Sequence, residues 1–403
     1  MFRLILSLAY KNAFLRRSRA LLLIVMIAVS MSMMLALEGL YDGMTASMVE
    51  KTKRSDSGEV SIYAKEFRQE RTIQENIKDA KKIQEELLLR KDVKSVSLRL
   101  QADGLCATAK KSSFATLIGI ELEDEQGFGD FSEFLETGSL TLHGHKTVVG
   151  KELAKDLKLK IGSKVIFSTQ DMSGEITAVA LRVSAIVQTN NIALDKGTMY
   201  VNRELLRKLL QMPKNSATQI AIRSDNTRLA QELSAQYPDL DVKSFLALYP
   251  MMEQMQEITV IFNSITFFIV MLVVFIGIMG VTYVSVLERV REFGVMRSLG
   301  MPYSAIKSQI LFEALFVAMV GYILGAFFGF SALYYLENYG LDLKEFADGL
   351  ESFGYASVLY ADMKYDYFIT SFAAIFIASV LSVLLPLRRL RKMSVIEATK
   401  LQI

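Results

Sequence analysis

Four stretches of this 403-residue chain are long, apolar and free of charge: residues 20–37, 258–287, 314–336 and 367–387. A helix rises about 1.5 Å per residue and a bilayer's hydrocarbon core is about 30 Å thick, so about 20 apolar residues suffice to cross it. A chain with four such runs is expected to cross a membrane four times. The runs are unevenly placed, one near the N-terminus and three in the last third. The water-compatible stretch between the first and second is long enough to build a core of its own.

A basic segment with Lys11, Arg16, Arg17 and Arg19 precedes the first run, as it would in a secretory signal. The run is long for a signal, and Leu35, Ala36 and Leu37 offer no small-x-small cleavage site, so an uncleaved anchor is expected. Cations collect at the N-terminal tail (Arg3, Lys11, Arg16, Arg17, Arg19), between the second and third runs (Arg289, Arg291, Arg297, Lys307), and at the C-terminal tail (Arg388, Arg389, Arg391, Lys392, Lys400). Short segments rich in Lys and Arg stay cytoplasmic, which places both termini inside. The stretch between the third and fourth runs sets Lys344 and Lys364 against Glu337, Asp342, Glu345, Asp348, Glu351, Asp362 and Asp366, in keeping with an outer loop.

The expected fold class is an α-helical membrane protein with four transmembrane helices and a large α+β extracytoplasmic domain inserted between helices 1 and 2. In residue terms this gives a cytoplasmic amphipathic lead (1–19), a first span (20–41), the outer domain (42–257), a second span (258–287), a cytoplasmic helix (288–307), a third span (308–336), a short outer loop (337–366), a fourth span (367–387) and a cytoplasmic tail (388–403). The formal net charge is only +3 and the cations concentrate beside the spans, so no nucleic-acid partner is expected. A single cysteine, Cys106, excludes an intrachain disulfide, and the outer domain must be held by its core alone.

Within the outer domain, EVSIYA (residues 59–64) alternates as a strand does. Residues 69–90 carry Ile73, Ile77, Ala80, Ile83 and Leu87 at helical spacing, and VKSVSLRL (93–100) alternates again. A second strand, helix, strand unit runs through residues 218–223, 226–236 and 240–245. The two units bracket a β-rich insertion at about residues 103–213, and together they describe a split α+β module. Pro250 fits a first helical turn, and nothing breaks the pattern from there to Leu287, so the helix of the second span is expected to begin as a stalk outside the membrane. Two roles stay open for that stalk, carrying motion or merely propping the domain.

The segment after the second span reads VSVLERVREFGVMRSLGMPYSAIKSQILFEAL, a charged helix broken by Gly300 and Pro302. Apolar Val290, Phe293, Val295, Met296 and Leu299 are interleaved with its charges. Such a helix suits docking into a groove on a cytoplasmic partner, and it equally suits anchoring on lipid headgroups. Gly321, Gly325 and Gly329 recur on one face of the third span, where absent side chains let another helix approach. Glu313, near the start of that span, calls for a partner in lipid, either a hinge arginine or a gating element. His143 and His145 lack further His or Cys neighbours and are expected in a turn beside Gly144, with no metal site. DKGT at residues 195–198 is likewise expected in a turn, and no residue set suggests catalysis.

The segment ERVREFGVMRSLGMPYSAIKSQILFEALFVAMVGYILGAFFGF resembles the signature region of the FtsX-like permeases, membrane subunits of the MacB and Lol type of ABC transporter. The ending PLRRLRKMSVIEATKL and the entry YKNAFLRRSRALLLI resemble the corresponding parts of that family. VVGKELAKDLKLKIGSKVIF and IVQTNNIALDKGTMYVNRELLRKLL look like its periplasmic core domain. The resemblance implies that the hinge is a coupling helix seated on an ABC ATPase subunit, with Glu288, Arg289, Arg291, Glu292, Gly294, Arg297 and Gly300 as contact surface. It also implies a second permease copy or paralogue, a mechanism in which stalks move the outer domains, and residence in the bacterial inner membrane.

A phosphate-cradling loop needs G-x4-G-K-[ST]. The nearest segment, Gly144 to Gly150 with Lys151, has five intervening residues and continues with Glu152. ATP and Mg are therefore expected on a separate ATPase chain, as in the Lol pattern, with no cofactor and no enzymatic activity in this chain. SGEVSIYAKEF and LIGIELEDE resemble the Lol-like branch, LolC and LolE, which release lipoproteins to a periplasmic carrier. Efflux through a MacB-like adaptor system and activation of a cell-wall hydrolase in the manner of FtsX stay open as alternatives.

Overall fold

In lipid every backbone polar group has to be satisfied within its own segment, and a helix does so. The computed structural model describes residues 2–15, 17–129, 131–189, 191–346, 349 and 357–392. Each apolar run lies in a helix: Arg17–Thr52, Pro250–Glu288, Tyr303–Tyr339 and Asp366–Ser382. Among the described residues, four helices are long and apolar enough to cross a membrane. The chain divides into two compact units, one of Met1–Thr45, Gln256–Leu343 and Val358–Ile403, the other of Ala46–Met255 and Lys344–Ser357.

The first unit is helical. Ile27, Met31 and Leu35 from the first span helix, Val274 and Ile278 from the second, Ile310 and Val317 from the third and Ile375 from the fourth share one buried core. The lead helix, Phe2–Ala13, buries Ile5 and Ala9 and sets the Tyr10 ring edge-on to Phe316 at 5.8 Å. The fourth helix ends at Ser382 and a second one runs over Leu384–Lys392. Pro386 causes the break, since it has no N–H to offer the Ser382 carbonyl four residues back. Gly340, at φ +70°, closes the third helix and leads into a two-strand pairing of Leu341–Asp342 with Val358–Leu359. Arg16, Asp348, Glu351, Lys400 and the terminal VIEATKL segment lie outside the described residues, and only the backbone of Arg389, Arg391 and Lys392 is described.

The second unit is α+β. Its strands are β1 (Val60–Ala64), β2 (Val93–Ala107), β3 (Ser112–Ile120), β4 (Leu135–Gly138), β5 (Lys146–Gly150), β6 (Lys164–Gln170), β7 (Ile176–Val187), β8 (Thr198–Asn202), β9 (Gln219–Ser224) and β10 (Leu240–Ser244). The order β10-β1-β9-β2 is antiparallel throughout, with helix Ala80–Leu88 between β1 and β2 and helix Leu229–Gln236 between β9 and β10. This is a split βαβ module whose helices bury Ile83, Leu87, Leu229 and Leu233 against the sheet.

The 15-residue β2 outruns that sheet. Its first half pairs with β9, its second half with β3 and β6, and the chain of pairings β2-β3-β8-β5-β7-β6 returns to β2. The insertion is thus a closed six-stranded barrel filled by Ala102, Cys106, Leu117, Val165, Phe167, Leu181 and Met199. At the seam a Cβ on Gly104 would overlap the Ser168 carbonyl, so β2 and β6 can approach there only through glycine.

One expectation is corrected. The helix expected over residues 69–90 is one turn at Phe67–Glu70 and a nine-residue helix at Ala80–Leu88. Arg71 turns the chain left-handed at φ 56°, and Ile77 bridges to Ala217, so both Ile73 and Ile77 are buried from a loop. The charged helix after the second span runs over Val290–Ser298, and the third span helix is under way at Tyr303, on the far side of Gly300 and Pro302. The helix of the first span continues beyond residue 41 to Thr52 and a π-helical turn at Lys53–Ser57.

Cys106 lies fully inside the barrel, and burial pushes its thiol up to about 11. A rise of about two units from an ordinary thiol cuts the thiolate fraction at neutral pH about 100-fold. A maleimide is therefore expected to leave the native protein unlabelled and to label it fully once unfolded, with mass spectrometry as readout. Rapid native labelling would mean that the barrel opens.

Candidate functional site

Two features set the geometry of the hinge. Arg289 breaks the helical backbone at φ −106°, ψ 11°, so the second span ends at Glu288 and a new helix begins at Val290. At the other end Gly300 adopts φ +89°, a conformation that favours glycine, and Pro302 precedes the first residue of the third span helix. Met301 N–H donates to the Met296 carbonyl at 3.0 Å and closes the turn.

The short helix between these breaks has two faces. Val290, Phe293 and Gly294 are buried, and the first two join the bundle core. Arg291, Glu292, Val295, Ser298, Leu299 and Gly300 face outward, Leu299 with 82% of its surface exposed. The outward stripe therefore mixes a cation and an anion with two branched apolar side chains.

Arg289 belongs to the inward side. It is 9% exposed, donates through Nη1 to both carboxylate oxygens of Glu313 at 3.1 and 2.9 Å, and donates through Nε to Glu292 at 3.0 Å. Its guanidinium also lies 5.1 Å from the Phe293 ring centre. Gln309 Nε2 adds a bond to Glu313 at 3.1 Å. Glu288 receives Arg19 through two bonds of 2.6 and 2.8 Å. Charge-assisted, bidentate bonds of this kind fix orientation as well as distance. They brace the hinge against the third span helix and the end of the second span helix against the start of the first. A cavity of ≈ 80 Å³ lies between these braces, lined in part by Asn12, Arg19, Ser285, Arg289 and Glu313.

The expected contact residues thus separate. Arg291, Glu292 and Gly300 are exposed and Arg297 is half-buried, whereas Arg289 and Gly294 are turned inward and Glu288 is held by Arg19. Gly321, Gly325 and Gly329 sit apart from the hinge, against Ile27, Met31 and Leu35 of the first span helix. Arg19 was legible only as one of several flanking cations, because its partner Glu288 lies 269 residues away. Elsewhere, His143 and His145 flank Gly144 at φ +67°. DKGT does not form the expected turn: Asp195 lies in the helix Ile192–Gly197, capped by Asn191, where it accepts from the Thr189 N–H at 2.8 Å and from its hydroxyl at 2.7 Å, and Thr198 opens β8.

Residues 20–240 match the model of the MacB-like periplasmic core domain, and residues 264–395 match that of the FtsX-like permease C-terminal region. No curated protein matches the chain. Similar solved structures include the periplasmic region of MacB from Actinobacillus actinomycetemcomitans, at 18% identity and TM-score 0.34, covering 48% of this chain and 92% of that one. Another is the extracellular domain of the noncanonic ABC-type transporter YknZ from Gram-positive bacteria, at 14% identity and TM-score 0.32, covering 47% of this chain and 100% of that one. With four membrane-length helices and both family segments in place along its sequence, the chain is a multi-pass membrane protein that belongs to the FtsX-like permeases carrying a MacB-like periplasmic core domain.

Proposed function

We propose that this chain is the non-catalytic membrane subunit of a MacB/Lol-type ABC transporter and that it releases lipid-anchored proteins from the bacterial inner membrane. An ATPase chain that binds ATP and Mg seats against the outward stripe of the hinge helix, with Arg291, Glu292, Val295, Arg297, Leu299 and Gly300 as its contacts. The chain works beside a second permease, copy or paralogue, and delivers to a periplasmic carrier, with both termini in the cytoplasm. The observation that carries the proposal is the division of the hinge helix into an exposed stripe and a braced inner face. A load applied at the stripe passes through Arg289 to Glu313 and the third span helix instead of being lost in a flexible loop. Lipoprotein as the cargo rests on the likeness of SGEVSIYAKEF and LIGIELEDE to the Lol-like branch.

Reversing Arg291 and Arg297 to glutamate changes two side chains outside the core, so insertion and folding are expected to persist while docking is lost. In proteoliposomes holding this chain with its ATPase and permease partners, the double variant is expected to abolish ATP-dependent release of a lipid-anchored protein into the soluble fraction. Undiminished release would exclude the stripe as the docking surface. A wild-type assembly that hydrolyses ATP but releases no lipoprotein would exclude the cargo and leave the docking surface standing.

A further inference from the structure

In the α+β unit, β10 ends the sheet: among the described residues it pairs with β1 alone. Phe245 N–H donates to the Glu59 carbonyl at 2.9 Å, in step with the pairing of Ser244 with Val60 and of Val242 with Ile62. Antiparallel strands alternate bonded and non-bonded positions. Asp241 and Lys243 therefore turn their backbone groups to β1, while Leu240, Val242 and Ser244 turn theirs to the open edge. Of these outward groups, the Leu240 N–H is already taken by the Tyr237 carbonyl at 3.1 Å. A groove of ≈ 520 Å³ lies between this strand and the helix Leu229–Gln236, where Ala230, Ser234, Ala235 and Ala247 present small side chains beside Val242. An edge with unpaired N–H and C=O groups and space alongside is a template for one more strand.

The side chains of the edge select that strand. Asp241 and Lys243 are two residues apart and so share a face. Lys243 Nζ sits 3.0 Å from Asp241 Oδ1, and Arg68 Nη1 sits 3.5 Å from Asp241 Oδ2. A lysine alone on an edge repels a like strand. With Asp241 beside it, the sequence of charges becomes complementary to its own reverse. When β10 meets β10 of another copy about a two-fold axis at Val242, each Asp241 stands opposite the other copy's Lys243, at a non-bonded position where side chains come closest. The outward backbone groups match in the same register. Val242 N–H and C=O meet their counterparts, and Ser244 N–H meets the Leu240 carbonyl. Val242, half-buried against the core of the unit, is covered by its counterpart. The neighbouring registers set Asp241 against Asp241 or Lys243 against Lys243, so the charges favour a single alignment.

We propose that β10 joins two copies of this chain edge to edge, so that their sheets run on as one antiparallel sheet across a two-fold axis. Such an interface uses the same patch on both copies and closes on itself. A five-residue strand gives a contact too small to hold proteins free in solution. Copies anchored in one membrane meet at high effective concentration, and there a small contact suffices. The inference rests on the reading of the chain as one of a pair of permeases and makes the second permease a copy; it is independent of the cargo and of the hinge.

Bonded antiparallel positions stand about 5.5 Å apart between Cα atoms, within reach of a disulfide. Full-length Val242→Cys in membranes is therefore expected to give a disulfide-linked dimer under mild oxidation, while Cys106, buried in the barrel, stays unreactive. Phe114→Cys, at a position 75% exposed on the barrel, is expected to give none and reports random collision. Adding Asp241→Lys or, separately, Lys243→Asp to Val242→Cys sets like charges opposite and should abolish the cross-link. Both reversals together should restore it. If one reversal fails to fold, the other decides the charge test. A native mass spectrum showing one copy of the chain and no other permease would overturn the proposal together with the pair reading. A pair that gives no cross-link at Val242→Cys, or a cross-link indifferent to the reversals, would overturn the β10 contact and leave the pair reading standing. A cross-link formed only to a different protein would assign the edge to that protein and exclude self-pairing.

Discussion

Replacing Arg99 with methionine is expected to destabilise the α+β unit by about 3–5 kcal/mol, the usual consequence of stripping one partner from a buried ion pair. Arg99 and Glu125 are each 1% exposed. The arginine donates Nε to Oε1 and Nη2 to Oε2 of Glu125, both at 2.8 Å, while Ser97 donates its hydroxyl to Oε1 at 2.6 Å. Burial disfavours the guanidinium's charge, but the attraction and hydrogen bonds of Glu125 outweigh it and hold Arg99 above its usual range. Its remaining N–H groups reach the carbonyls of Ser55 and Asp56 in the π-helical turn, where the widened backbone leaves acceptors open. The Asp56 carboxylate in turn receives the Tyr249 hydroxyl.

One side chain therefore ties β2, the helix Leu122–Phe128 and the Lys53–Ser57 turn, and through Asp56 it reaches Tyr249 just before the second long helix. Methionine fills most of the volume, but it leaves the Glu125 carboxylate without its cation and the two carbonyls without donors. Adding Glu125→Met to Arg99→Met removes the orphaned charge, so the double variant is expected to recover much of the loss. Denaturant unfolding of the full chain in detergent, with hydrogen exchange reporting on β2, separates these outcomes. A single variant as stable as the wild type would mean that water reaches Glu125 and that the pair is not a closed node.

The sequence made the membrane helices legible because lipid permits a charge-free run of this length essentially one structure. Their ends were less so. The first helix continues past its apolar run to Thr52, and the fourth breaks at Val383 because of a proline three residues later. In the α+β unit, alternation in EVSIYA, VKSVSLRL and TQIAIR marked strands, although these strands are buried on both faces for most of their length. It cannot report which strand lies alongside. The exchange of partners halfway along β2, and hence the closed barrel, was therefore hidden. Ile73 and Ile77 have helical spacing yet are buried from a loop, where a bridge to Ala217 pairs the Ile77 backbone outside any helix.

The candidate site shows the same limit. The hinge was marked by its charges, but Arg289 and Arg291 point to opposite sides of one short helix, and their fates depend on a partner elsewhere. Arg289 bonds to Glu313, while Arg291 stays exposed.

Gly325→Leu is expected to disrupt the helical unit more than any single substitution on its lipid-facing surfaces. A Cβ at Gly325 would stand 2.7 Å from the Met31 Cβ and 3.0 Å from the Ala28 carbonyl oxygen. Gly321 meets the Ile27 Cβ at 2.9 Å and Gly329 the Leu35 Cδ1 at 2.5 Å in the same way. Three glycines at four-residue spacing thus receive three side chains at four-residue spacing, and Ile27, Met31 and Leu35 are almost wholly buried as a result. The obstruction is backbone and Cβ, which cannot rotate aside, so the helices must separate along the whole row. Overpacking costs about 1–3 kcal/mol when side chains can shift. The upper end of that range or beyond is expected here, read as a large fall in unfolding temperature and loss of a monodisperse peak in detergent. Phe327→Leu, on a side chain 64% exposed, is the neutral control. Adding Met31→Gly to Gly325→Leu removes the Met31 Cβ that the new side chain meets and should restore part of the loss. Such recovery would also place the glycine row between the first and third helices of one chain, because a row serving contacts between copies would gain nothing from a smaller residue at position 31.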